Sequence, residues 1–165
     1  MIRFVNTEIT FREVPDEVCR SFSISNCGLH CHNCHSPELQ QDYGKELNEN
    51  LFTQFLYRDE DTVSCYVFLG EGNDSKKLKR LLTLCKHKNY KTCVYTGHKG
   101  IDVGNTYFGL IDYIKVGAYI EELGGLESPT TNQRFYKLAY NYDTNTVDYT
   151  DLTYKFQKNV KISKK

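Results

Sequence analysis

Short apolar runs alternate along this chain with stretches of helical spacing, and that alternation narrows the possible folds more than any other feature. Val63 to Leu69 is an apolar run bounded by Asp61 and Gly70, as expected of a buried strand. Thr92-Cys93-Val94-Tyr95 and Tyr113-Ile114-Lys115-Val116 are shorter runs of the same kind. Residues 46–58 place Leu47, Leu51, Phe52, Phe55 and Leu56 at amphipathic helix spacing. Leu78, Leu81, Leu82 and Cys85 repeat that spacing after the capping candidates Asn73, Asp74 and Ser75. Residues 4–13 and 18–25 predict two strands joined by Pro15-Asp16, and Phe135 to Tyr140 with Val147 to Phe156 predict a closing strand or hairpin. Strands and helices in this order predict an α/β domain with a mainly parallel sheet.

No repeat, low-complexity tract or linker divides the 165 residues, so a single domain over 1–165 is expected. The 21 basic and 21 acidic side chains cancel, which removes any global field that would attract nucleic acid. Lys155, Lys158, Lys161, Lys164 and Lys165 make a basic tail, expected to fray from about residue 157. The N-terminus lacks the apolar run of a signal peptide, and no stretch approaches membrane-spanning length. A cytoplasmic location is therefore expected, where cysteines are reduced or metal-bound rather than paired. The Tyr and Phe residues fall mostly in strand-like segments without a basic groove pattern, so packing rather than base stacking is their expected role.

Three cysteines within eight residues, Cys27-Gly-Leu-His-Cys31-His-Asn-Cys34, carry the chemistry. Gaps of three and then two residues are too tight for a disulfide framework and suit thiolates converging on one metal centre. A four-iron, four-sulfur cluster normally takes four Cys ligands, so three would leave one iron open to an exogenous molecule. A zinc site is the competing reading, with His30, His32 or His35 as a fourth ligand. Structural zinc sites usually use two separated ligand pairs, and here Cys65, Cys85 and Cys93 stand singly in apolar stretches, as buried small hydrophobes do. The cysteine loop, Gly70-Glu71-Gly72 and Thr96-Gly97-His98 each follow a predicted strand. Because sites in such sheets gather at the carboxyl ends of strands, these loops are expected to form one pocket. Glu121-Glu122, on a predicted loop, are expected to be solvated.

Cys27-x-x-x-Cys31-x-x-Cys34 after a strand resembles the cluster motif of the radical S-adenosylmethionine superfamily. Phe11-Arg-Glu-Val-Pro-Asp-Glu-Val18, Ser23-Ile-Ser-Asn-Cys27, Cys34-His-Ser-Pro37, Ile114-Lys-Val-Gly117 and Thr131-Asn-Gln-Arg134 resemble the anaerobic ribonucleotide reductase activating proteins. That likeness runs from about residue 6 to about residue 138. It implies an incomplete (β/α) barrel, with Cys27, Cys31 and Cys34 holding a 4Fe-4S cluster whose open iron takes S-adenosylmethionine. It implies reductive cleavage to methionine and a 5′-deoxyadenosyl radical, which abstracts hydrogen from a glycine of the reductase large subunit. A flavodoxin- or ferredoxin-like electron donor is implied too, with no nucleic-acid or membrane partner. Asn33, Cys34 and His35 would lie at the adenosyl group, and Asn33 stands where many superfamily members carry an aromatic. Gly70 and Glu71 correspond to the superfamily's Gly-Gly-acidic run, although here the acid lies between Gly70 and Gly72. Thr96-Gly97, Gly117 and Asn132-Gln133-Arg134 are further candidates for the rim or for polar contacts. A pyruvate formate-lyase type activase lacks support in the absence of an added ferredoxin-like cysteine cluster, and a zinc-stabilised interaction module is the non-catalytic alternative.

Overall fold

The computed structural model describes residues 1–99 and 102–157. Of the basic tail, Lys155 is described, its Nζ 2.7 Å from Asp16, and the remaining lysines lie outside the described residues. The strands are β1 (Arg3–Thr10), β2 (Cys19–Ile24), β3 (Lys45–Glu46), β4 (Cys65–Leu69), β5 (Lys91–Tyr95), β6 (Tyr113–Val116), β7 (Arg134–Asn141) and β8 (Thr146–Asp151). The helices are α1 (Glu49–Arg58), α2 (Ser75–His87) and the short α3 (Asp102–Thr106), with 3-10 turns at Pro37–Gln40 and Thr153–Phe156. No helix among the described residues is long and apolar enough to cross a membrane.

All eight strands form one sheet in the order β3-β1-β2-β4-β5-β6-β7-β8. The central pairs β2–β4, β4–β5 and β5–β6 are parallel, and the β1–β2, β1–β3, β6–β7 and β7–β8 pairs are antiparallel. The α/β expectation holds, but the sheet is mixed rather than mainly parallel. The reason lies in the connections. Parallel neighbours need a crossover, which α1, α2 and α3 help to supply, whereas β1–β2 and β7–β8 are joined by turns. β3 and β8 end the sheet, which is open.

Both helices with apolar spacing form where their caps permit. Asn48 caps α1, its side chain accepting from the Leu51 N–H at 2.9 Å. The helix starts later than position 46 because Lys45–Glu46 pair with β1 and the Leu47 N–H donates to the Ile2 carbonyl. Asp74 caps α2, accepting from the Lys77 N–H at 3.0 Å. Phe52, Phe55 and Leu56 from α1 and Leu78, Leu81, Leu82 and Cys85 from α2 are buried in the main core.

β4 is buried on both faces, and its alternation divides the interior. Tyr66 and Phe68 join Phe22 and Phe52 in the main core, while Cys65 and Val67 join Cys19, Cys93, Tyr113 and Phe135 in a second, smaller core. The buried aromatics are thus packing residues, as expected, while Phe11, Tyr57, Tyr142 and Tyr154 are exposed; Phe22 stacks on Tyr66 and Phe68 at centroid distances of 6.3 and 5.9 Å. Under this core the Arg20 guanidinium grips Asp59 through Nε at 2.8 Å and Nη2 at 2.7 Å, and the Tyr66 hydroxyl donates to the same carboxylate at 2.8 Å. The closing hairpin ends at Asp151 rather than continuing to Phe156. There the Thr153 N–H turns back to the Asp151 side chain, and the Thr153 hydroxyl accepts from the Phe135 N–H.

Candidate functional site

The four central strands β2, β4, β5 and β6 run parallel, so Ile24, Leu69, Tyr95 and Val116 all end at one rim. The cysteine loop leaves β2 there. Its base is tied down by backbone bonds from Ser25 to Arg3, Asn26 to Gln41 and Cys27 to Leu39, and by the Ser25 hydroxyl donating to the Tyr43 carbonyl at 2.7 Å. Asn26, His30 and Asn33 take left-handed φ values of 63°, 44° and 51°, a conformation Asn and His tolerate better than most residues. Cys27, Cys31 and Cys34 are unpaired and half-buried, while Cys19, Cys65, Cys85 and Cys93 are fully buried. Burial pushes the thiols of Cys65, Cys85 and Cys93 well up, so these three are inert packing groups, as expected.

Lys115, in β6, faces the loop. Burial pulls its ammonium down to about 8, and nearby Cys31, Cys34 and Cys27 act in the opposite sense, which places all three thiols within electrostatic reach of one cation. Its Nζ donates to the Gly117 carbonyl at 2.9 Å. The sequence signal for Lys115 was a charge inside the apolar run of a central strand.

Gly70-Glu71-Gly72 leaves β4 beside this loop. Gly70 and Gly72 have φ of 108° and 62°, and a Cβ on Gly70 would lie 3.2 Å from the Ile24 carbonyl oxygen, so the turn demands glycine at Gly70 and favours it at Gly72. Glu71, between them, accepts from the Tyr107 hydroxyl at 2.7 Å and from the Thr96 hydroxyl. Thr96-Gly97-His98 leaves β5, and a Cβ on Gly97 would meet the Leu29 side chain at 2.4 Å, a measure of how closely it passes the cysteine loop. The three loops therefore share one pocket, as their positions after strands predicted. This cavity of about 210 Å³ is lined by Cys27, Leu29, Gly70, Glu71, Thr96 and His98 among others. It lies below the roughly 300–1,000 Å³ usual for drug-sized ligands.

Cys31, Asn33 and Cys34 lie outside that cavity. They line a wider cleft of about 670 Å³ with His30, His32 and Glu121. Asn33 Nδ2 donates to Glu121 Oε2 at 2.6 Å, and the His35 ring meets Tyr119 edge-on at 5.8 Å. Glu121 and Glu122 are exposed, as expected, and Glu121 in addition braces the cysteine loop across 88 residues of sequence. Asn132, Gln133 and Arg134 brace their own loop: Asn132 donates to the Ala118 carbonyl, Gln133 to Gly117 and Arg134 to Thr131 and Gln133.

Among the described residues, no group of three or more His, Cys, Asp or Glu side chains is drawn together closely enough to hold a metal ion as it stands. The donor set nonetheless has the chemistry of a soft-metal site: free, half-buried thiols on one short loop, with the partly buried Lys115 ammonium within electrostatic reach. Comparison with known protein-family models, curated proteins and solved structures gives no match.

Proposed function

We propose that the chain is a radical S-adenosylmethionine enzyme that activates an anaerobic ribonucleotide reductase, its open sheet serving as an incomplete barrel of that type. The observation that carries this reading is the convergence at one rim of the three-cysteine loop, Lys115 and the Gly70-Glu71-Gly72 turn. Cys27, Cys31 and Cys34 would hold the 4Fe-4S cluster. When bound and reduced, the cluster would supply the electron for cleavage of S-adenosylmethionine to methionine and a 5′-deoxyadenosyl radical, which would abstract hydrogen from a glycine of the reductase large subunit.

This chain's residues bind and orient. Glu71 and the exposed backbone at Gly70 receive the amino end of the ligand in the small cavity, where Cys27 forms the facing wall. Asn33 and Cys34 lie on the wider side of the loop, with His35 against Tyr119 next to them, and this side receives the nucleoside end and then the partner's glycine segment. Lys115 offsets the charge of the thiolates from beneath. The Asn33–Glu121 bond and the His35–Tyr119 contact hold the loop's outer half in place. Electrons come from a flavodoxin- or ferredoxin-like donor.

Anaerobic reconstitution with iron and sulfide tests the cluster assignment. Wild type is expected to turn brown and to retain about four iron and four sulfide per chain, with Cys31→Ala pale and depleted of both. A colourless wild type that binds zinc stoichiometrically and takes up no iron would overturn the proposal in favour of a zinc-stabilised interaction module.

A further inference from the structure

Glu71 uses both carboxylate oxygens, and its two donors come from different loops. Thr96, from the turn after β5, donates to Oε2, while Tyr107, just beyond α3, donates to Oε1 at 2.7 Å. His98 Nε2 lies 3.9 Å from Oε2, beyond hydrogen-bond range, on a side chain that is 61% exposed. A carboxylate offers about four acceptor positions, so two donors leave about two for a ligand.

Core packing accounts for the Tyr107 ring, which is only 1% exposed, but not for where its hydroxyl ends. A buried phenol needs a partner, and a backbone carbonyl serves well: in the same core Tyr90 donates to the Leu56 carbonyl at 2.8 Å. Tyr107 instead crosses 36 residues of sequence to reach the one carboxylate that lines the cavity among the described residues. A charge-assisted bond at that point fixes the rotamer of a side chain that would otherwise swing freely between two glycines.

We propose that Tyr107 is a positioning residue: with Thr96 it holds the Glu71 carboxylate so that its remaining acceptor positions meet the ammonium group of an amino-acid ligand entering the cavity. This rests on the cofactor reading above. It also makes the β5–β6 connection part of the site, although Tyr107 does not line the cavity.

The test is equilibrium binding of S-adenosylmethionine to cluster-loaded protein, with iron and sulfide measured for each variant. Tyr107→Phe keeps the ring and removes the donor. Its dissociation constant is expected to rise about two- to tenfold, the cost of ordering one free side chain on binding, with iron and sulfide unchanged. In a Glu71→Ala background the same change is expected to have no further effect, since Tyr107 acts only through Glu71; a purely structural role would persist there. Thr96→Val provides a second route should Tyr107→Phe fold poorly, and is expected to weaken binding in the same Glu71-dependent way. Wild-type affinity in both variants, or effects that multiply in the double variants, would overturn the inference alone. Failure of fully loaded wild type to bind the ligand would overturn the cofactor reading and this inference with it.

Discussion

Replacing Asp59 by Asn should remove a large share of the fold's stability without changing its shape. The Asp59 side chain is 3% exposed and that of Arg20 9%, and three hydrogen bonds of 2.7–2.8 Å converge on the carboxylate. An amide in its place presents an N–H to a guanidinium that has only N–H groups to offer, so one buried cation loses half its fork. Summing three charge-assisted bonds overstates the loss, because the amide keeps one acceptor. Breaking one partner of a buried pair costs about 3–5 kcal/mol. At roughly 2–4 °C per kcal/mol for a chain of this size, the melting temperature should fall by about 6–20 °C. The backbone bonds at this helix end, from Asp59 to the Phe55 carbonyl and from Thr62 and Val63 to Asp59, are untouched by the change. Urea unfolding at pH 7 measures the loss. Its pH dependence has a definite sign: burial pushes the Asp59 carboxyl up, but hydrogen bonds from Arg20 and Tyr66 outweigh this and hold it below the usual range. Wild type should therefore keep its full advantage over Asp59→Asn from pH 7 to pH 5, and lose it as the pH falls below about 4. A deficit under about 1 kcal/mol at pH 7, or an advantage that grows on acidification, would refute the buried-pair argument.

Gly70→Ala forces a side chain into φ 108° with its Cβ 3.2 Å from the Ile24 carbonyl oxygen, and should cost about 1–3 kcal/mol in urea unfolding together with weaker S-adenosylmethionine binding; unchanged values of both would mean the turn does not need glycine. In metal-free native protein, iodoacetamide followed by mass spectrometry should label Cys27, Cys31 and Cys34 rapidly and Cys19, Cys65, Cys85 and Cys93 only after unfolding. Early labelling of any of the last four would contradict the two-core packing.

Elements whose order comes from local chemistry were legible in the sequence. The apolar spacings of α1 and α2 and the strand at Cys65–Leu69 needed only neighbouring residues, and Asp74, one of three adjacent capping candidates, is the cap. β3 was not legible: it is two exposed charged residues, Lys45–Glu46, held by pairing with Arg3 and Phe4. Nor was α3, whose five residues include Gly104 and carry no helical spacing. Strand direction escaped as well, because apolar alternation is the same whichever way a neighbour runs. The shared pocket of the three rim loops could be read, since each loop follows a strand. Tyr107 and Glu121 could not, because their contacts with Glu71 and Asn33 span 36 and 88 residues and leave no mark on the residues between.

The account stands or falls on cofactor cleavage. Anaerobically reconstituted protein, given S-adenosylmethionine and a strong reductant with the reductase large subunit present, should release 5′-deoxyadenosine and methionine in equal amounts, and Cys31→Ala should release neither. Wild type carrying full iron and sulfide that yields no 5′-deoxyadenosine under these conditions, or a Cys31→Ala variant that yields as much as wild type, would contradict it.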